Sequence, residues 1–411
     1  ESPIDKAFES PELVSIIASK LPKTAVSEFS KTNRFLRKAL SPLRWSTLDL
    51  IDSQREYRLY KNLDLFAAHI HHIHELAAGS YFFRDMVDSM ARNNEEYAAR
   101  ATALHRGKVQ LRRLEHQGEI QYDDVWGDEK LEPIVTQQLI WLFNLNPNLT
   151  VIRMQSLKLE GSLEARLLAR SLLRLGRLKE LDLWVYSSLN WNEVFPALFF
   201  SLPASLETLT LHGNMSGTGD TFNGLSEELD KDQTGNKTGV PLTRRDTPLS
   251  KLKNLRIQTL SNGAVELLCP LLEHCPALES ISAPDWYTGY TFPIMPTLIH
   301  AVLKHCPRFR QLGACGKGSA AFAKGMPEDT LQSFIVTEGY QRQEEFSEGI
   351  RKVVEKHRGS LKEIQIDNHN HVGSGLVLDF LCRCKALEHL SIKGGVIDCS
   401  LWNSSTGVVQ S

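Results

Sequence analysis

The sequence predicts an α/β solenoid, with parallel strands on its inner side and helices on its outer side, and three observations predict it. A hexamer of the pattern apolar-x-x-apolar-x-apolar recurs along the chain, segments with one apolar helical stripe alternate with it, and helix-ending residues stand just ahead of several hexamers. A short strand and a single-striped helix cannot cover their own apolar faces, so units of this kind must stack on their neighbours.

The hexamers run LTVIRM (149–154), LKELDL (178–183), LETLTL (206–211), LKNLRI (252–257) and LESISA (278–283). FRQLGA (309–314), LQSFIV (331–336), LKEIQI (361–366) and LEHLSI (387–392) follow. Counted from the first apolar residue of each, the steps lie between 22 and 31 residues, apart from one of 46. That is the span of one strand-plus-helix repeat. Each hexamer ends in alternating apolar positions, as a strand with one buried face requires. Weaker matches occur at IHELAA (73–78) and LRRLEH (111–116).

Between the hexamers lie LEPIVTQQLIWLF, LEARLLARSLLRL, WNEVFPALFFSL, AVELLCPLLEHC, TLIHAVLKHC, FSEGIRKVVEKH and GLVLDFLCRC, whose apolar residues recur at three- and four-residue steps. NPNL, CPAL, CPRF and CKAL then lead into an anchor, so the helix ends and the next strand begins. Strand, helix and breaker in phase resemble the leucine-rich repeat in its longer form, over roughly residues 130–395.

The N-terminal residues read differently. Pro11-Glu12 opens an apolar ladder of Leu13, Ile16, Ile17 and Leu21, with Pro at a helix start and an acid near the positive end of its dipole. Leu21-Pro22 breaks it. Thr24 is the expected N-cap of a second helix carrying Val26 and Phe29, and Asn33 of a third with Phe35, Leu36 and Leu40. Trp45-x-x-Leu48-x-Leu50 has the spacing of a first solenoid strand. The order P-E-L-x-x-I-I-x-x-x-L-P, an apolar pair, a short third helix and P-L-x-W-x-x-L-x-L resembles the F-box over residues 8–50, especially that of fungal F-box and leucine-rich-repeat proteins.

The resemblance implies a substrate receptor of an SCF-type cullin–RING ubiquitin ligase, its F-box binding the adaptor subunit and through it cullin, its repeats binding a protein target. Carried over by position, the adaptor-facing residues are Pro11, Leu13, Ile17, Leu21, Pro22, Val26 and Phe29. Each could instead pack the small helices together or against the first repeat. A repeat scaffold unconnected with ubiquitin, its N-terminal helices a mere cap on the array, is the alternative.

Composition is that of a folded chain, 42% hydrophobic and 23% charged. A formal charge of −2 gives no bulk pull toward nucleic acid or anionic membrane, and no apolar run is long enough to span a bilayer. Residues 1–10 lack the basic-then-apolar order of a secretory signal. Seven cysteines, an odd number in a long chain, read as reduced thiols, so the cytoplasm or nucleus is the expected compartment.

Candidate chemistry reduces to simpler readings. HIHHIHEL at 69–76 lacks the paired cysteines that would complete a zinc site, and GACGKGSA at 313–320 misses the first glycine of a phosphate loop and reads as a turn after a strand. Cys275, Cys306 and Cys384 share the slot three residues ahead of an anchor, where a small buried thiol packs well. No nucleophile elbow or HExxH motif is present, and the expectation is a non-catalytic chain without metal or cofactor. Trp184 and Tyr186 follow one strand and Trp286, Tyr287 and Tyr290 another, which makes them the candidate contacts for a protein target. The expected organisation is an F-box over 1–50, atypical first repeats and connecting helices over 51–130, the solenoid over 131–395 with a Gly/Thr/Asn/Asp-rich insertion at 212–250, and a tail over 396–411.

Overall fold

The computed structural model describes residues 10–32, 34–50, 69, 72–78, 111–116, 136–159, 162–187, 198–212, 247–257, 268–283, 295–337, 343–367 and 382–393. The chain divides into two compact units, Glu1–Tyr186 and Ser187–Ser411.

The first unit opens with helices α1 (Pro11–Ala18), α2 (Lys23–Lys31), α3 (Arg34–Ala39) and α4 (Ser41–Trp45). Strands β1 (Thr47–Leu50), β2 (Glu75–Ala78) and β3 (Arg113–His116) follow, then α5 (Thr136–Leu145), β4 (Val151–Leu159), α6 (Ser162–Leu173) and β5 (Glu180–Ser187), inside whose last step the boundary falls. The second unit holds β6 (Thr208–His212), β7 (Asn254–Ile257), β8 (Ser280–Ala283), α7 (Met295–His305), β9 (Gln311–Cys315) and α8 (Gly316–Gly325). It continues with β10 (Ser333–Thr337), α9 (Gln343–His357), β11 (Glu363–Asp367) and β12 (His389–Lys393).

Within each unit the strands lie side by side in chain order. The pairings from β1 to β4 and from β6 to β12 are parallel, as connections through helices require. Register puts one apolar side chain per strand in line. Leu48, Leu76, Leu114 and Ile152 form the row in the first unit. Leu209, Leu255, Ile281, Leu312, Phe334, Ile364 and Leu390 form it in the second. Every strand of the description thus grows from one of the hexamers, the two weaker ones and the Trp45–Leu50 stretch included.

Each strand starts two residues after its anchor, and hydrogen bonding explains the offset. The anchor closes a turn: Leu149 N–H donates to Asn146 O, Leu278 to Cys275 O, and Phe309 to Cys306 O. The next two N–H groups then share one carbonyl of the preceding repeat. Thr150 and Val151 both donate to Arg112 O, Glu279 and Ser280 to Lys253 O, and Lys362 and Glu363 to Gln332 O. The anchors Leu149, Leu178, Leu206, Leu252, Leu278, Leu331 and Leu361 are wholly buried. Truncating one to Ala removes about 2–5 kcal/mol, from lost transfer energy and the cavity left behind. Cys275, Cys306 and Cys384 are buried in their shared slot, and Cys275 Sγ lies 3.5 Å from Leu271 O.

Two local readings need correction. GKGSAAFAKG, read as a turn, is helix α8, because Phe322, Ala323 and Met326 bury a helical stripe and alanine carries little entropic cost in a helix. Thr24 does not cap α2: the helix begins one residue earlier, at Lys23, with Pro22 in the cap position and no side-chain cap bond. Ahead of the first strand, SPLRW forms α4, its proline within the first turn where a missing N–H costs nothing.

Candidate functional site

The helices α1 to α4 enclose a small core of Val14, Ala18, Val26, Leu36 and Leu40, with Phe29, Ala39 and Leu43 partly buried against it. Ser10 caps α1, its hydroxyl oxygen accepting from Leu13 N–H at 3.4 Å while donating to Glu12 Oε2 at 2.9 Å. The Glu12 carboxyl is held below its ordinary range by its own backbone N–H and by that Ser10 hydroxyl.

Helix α1 is apolar on both sides. Val14 and Ala18 point into the core, while Leu13, Ile16 and Ile17 occupy the opposite arc, 45%, 61% and 42% exposed, and Leu21 just beyond the helix is 40% exposed. A surface helix ordinarily puts polar residues on that arc, and a helix apolar all round is a buried one. Large side chains left in water forgo roughly 1 kcal/mol each of the transfer energy that full burial would supply. The solvent side of α1 therefore has the character of an interface.

Of the residues carried over from the F-box resemblance, Pro11, Leu13, Ile17, Leu21 and Pro22 are exposed. Val26 is inside the small core, and Phe29 is partly buried on its edge. Ile16 and Phe35, the latter 40% exposed on α3, were not among those residues. The signal for Ile16 was the set Leu13, Val14, Ile16, Ile17 and Ala18, interrupted by Ser15 alone and too wide for a single stripe. Phe35 was hidden by its neighbour Leu36, which takes the core position.

The strands also carry functional candidates on their free side. In the first unit, Thr47, Glu75, Arg113 and Val151 align in one row and Asp49, Ala77, Glu115 and Arg153 in the next. Arg153 donates to Glu180 Oε1 at 2.7 Å and lies 3.8 Å from Glu115, which also pairs with Arg113 at 3.0 Å. The Glu180 hydrogen bond raises the Arg153 pKa further above its ordinary value, partial burial opposes it, and the charges of Glu180, Glu115 and Asp182 add to the rise. The second unit is different. Its aligned row is Thr208, Asn254, Ser280, Gln311, Ser333, Glu363 and His389, mostly hydroxyls and amides. Asn254 Nδ2 donates to Thr208 Oγ1 at 3.3 Å, and Ser333 Oγ to Glu363 Oε2 at 2.8 Å.

Among the candidate target contacts, Trp184 is half-buried in β5 and Tyr186 lies in the same strand two residues on. Trp286, Tyr287 and Tyr290 lie outside the described residues, as do 213–246 of the insertion and the tail. In the histidine run, His69 stacks on Trp45 with ring centres 4.6 Å apart, and His72 follows at 6.0 Å. Among the described residues no three His, Cys, Asp or Glu side chains converge to hold a metal ion, and no helix is long and apolar enough to cross a membrane.

No family model matches the chain, and no curated protein does. Among solved structures, the chain is similar to the crystal structure of the Rad7 and Elc1 complex in yeast, at 14% identity over 83% of this chain and 78% of that one, with a TM-score of 0.38. The fold rests on register instead. Parallel strands in chain order, apolar residues aligned in one row within each unit, and helices between strands make the chain an α/β solenoid.

Proposed function

We propose that the chain is the substrate-recognition subunit of an SCF-type cullin–RING ubiquitin ligase. Residues 1–50 act as the F-box that binds the adaptor, and through it cullin, while the repeats hold a protein target. The observation that carries this reading is the solvent-facing apolar arc of α1, set on a small unit of four helices that leads directly into a parallel repeat array. A domain this small that keeps Leu13, Ile16, Ile17 and Leu21 in water is built to be covered.

The chain's own contribution is position. Holding a target beside a ubiquitin-loaded enzyme turns a bimolecular encounter into an intramolecular one, and the gain is a raised effective concentration. Target recognition belongs, in this proposal, to the strand-end aromatics Trp184, Tyr186, Trp286, Tyr287 and Tyr290, and the compartment to the cytoplasm or nucleus.

Co-purification with the adaptor tests the reading. Leu13→Asp combined with Ile17→Asp should abolish capture while circular dichroism and the melting transition of the solenoid stay intact, because both side chains already face water. Failure of the wild-type chain to capture the adaptor would replace this reading with that of a repeat scaffold.

A further inference from the structure

The charge of the small helical unit is as uneven as its apolar surface. Between Ser10 and Ser46 the sequence holds seven lysines and arginines against two acids, Glu12 and Glu28. Glu28 is already paired with Lys31 at 2.6 Å, and Glu12 is occupied by Ser10. The chain as a whole is near neutral, so this is a local feature.

Helix α3 concentrates it. Leu36 and Ala39 turn inward with Leu40, and the remaining outward arc carries Arg34, Arg37 and Lys38, all exposed, with Phe35 at one side of it. The packing of Val14 and Ala18 against Leu36 and Leu40 sets α3 beside α1. A helix with a basic outward arc therefore packs beside the helix that carries the apolar arc. Three like charges within two turns of helix repel one another, and Arg37 and Lys38 alone gain from lying near the helix C-terminus.

We infer that the partner covering α1 is acidic at its rim, and that Arg34, Arg37 and Lys38 steer it onto the apolar arc, where Phe35 provides an additional anchor. This inference rests on the adaptor-binding reading and specifies the chemistry of that partner. Rim charges act mainly on the rate of encounter and its salt dependence, whereas apolar anchors act on the rate of dissociation.

The test is stopped-flow association of the full chain with purified SCF adaptor subunit across a salt series. The wild-type association rate should fall about tenfold or more between low and high salt, within the range electrostatic steering produces. Combined Arg34→Glu, Arg37→Glu and Lys38→Glu should lower the low-salt rate by roughly the same factor and flatten the salt dependence, leaving dissociation little changed. Phe35→Ala should do the reverse. Because acids near the end of α3 could loosen that helix, Arg34→Gln, Arg37→Gln and Lys38→Gln together provide a second variant, expected to lie between the two. Adaptor binding with unaltered rates and salt slope in both charge variants overturns the inference and leaves the adaptor reading standing. No binding by wild-type chain at any salt concentration overturns both.

Discussion

Gly359 donates its backbone N–H to Asp329 Oδ1 across 2.8 Å, and Asp329 N–H in turn donates to Lys356 O at 3.2 Å, so the turn after α9 and the loop before β10 are clipped together twice. Asp329 does this from the left-handed region, at φ 51°, where a non-glycine residue is uncommon and Asn and Asp are best tolerated. Asp329→Ala keeps the strained backbone and loses the acceptor, so it should lower stability by about 1–3 kcal/mol, whereas Asp329→Asn retains an oxygen and should stay close to wild type. Gly359→Ala places a methyl 2.7 Å from Asp329 Oδ2 and should break the same clip. Urea midpoints of the three variants check the ordering.

His357 gives a pH dependence of definite sign. It is fully buried at the end of α9, with Nε2 2.9 Å from Ala323 O on α8 and Nδ1 buried without a partner. Burial pushes its pKa below the ordinary 6.5. The unfolded chain therefore takes up a proton that the folded chain refuses. The stability this provides is present above pH 6.5 and is lost as pH falls through that value toward the lowered folded pKa. Chemical denaturation at pH 5.5 and 7.5 should show a smaller stability difference in His357→Leu than in wild type; equal differences would remove the role assigned to this ring.

The thiols should separate by position. Cys306 is buried and its pKa is pushed up to about 12 by desolvation, and Cys384 is raised for the same reason. Cys382, two residues from Cys384, is exposed. Only the thiolate attacks an alkylating agent, so at pH 8 Cys306 is reactive in about one molecule in ten thousand even before access is considered. Peptide mapping after brief native-state alkylation should find Cys382 modified, with Cys275, Cys306 and Cys384 modified only after denaturation.

The strands were legible because their signal is repeated. Nine hexamers and three weaker matches each gave a strand, since a shared apolar spine constrains every repeat to the same register. Helix α8 was missed because its glycines and lysines mimic a loop, and its alanines make a stripe only when Phe322 and Met326 are known to face inward. At the candidate site, sequence marked Leu13, Ile17 and Leu21 but could not separate them from Val26. All are apolar at helical spacing, and only packing tells that Val26 is enclosed while Ile16 and Phe35 are not. The charge of α3 was visible all along, but a basic stretch has no meaning until the apolar arc beside it is known.

The arginine between acids on the first unit's strand face offers a last prediction, because removing it changes the sign of the local interaction. Arg153 stands among Glu115, Glu180 and Asp182, hydrogen-bonded to Glu180 at 2.7 Å. Its side chain is 37% exposed, so solvent screens much of the attraction and the pair contributes no more than about 1 kcal/mol. Arg153→Met keeps most of the apolar stem and leaves Arg113 paired with Glu115, but removes the cation that lies between the carboxylates of Glu115 and Glu180. Repulsion between them acts over distances that physiological salt screens, with a Debye length of about 8 Å. Added sodium chloride should therefore stabilise Arg153→Met relative to wild type. A companion Arg153→Met, Glu180→Gln variant should recover part of the loss, because it removes one of the opposed charges. If melting temperatures of all three respond to salt alike, the ladder is a packing feature and its charges play no part in holding the strands.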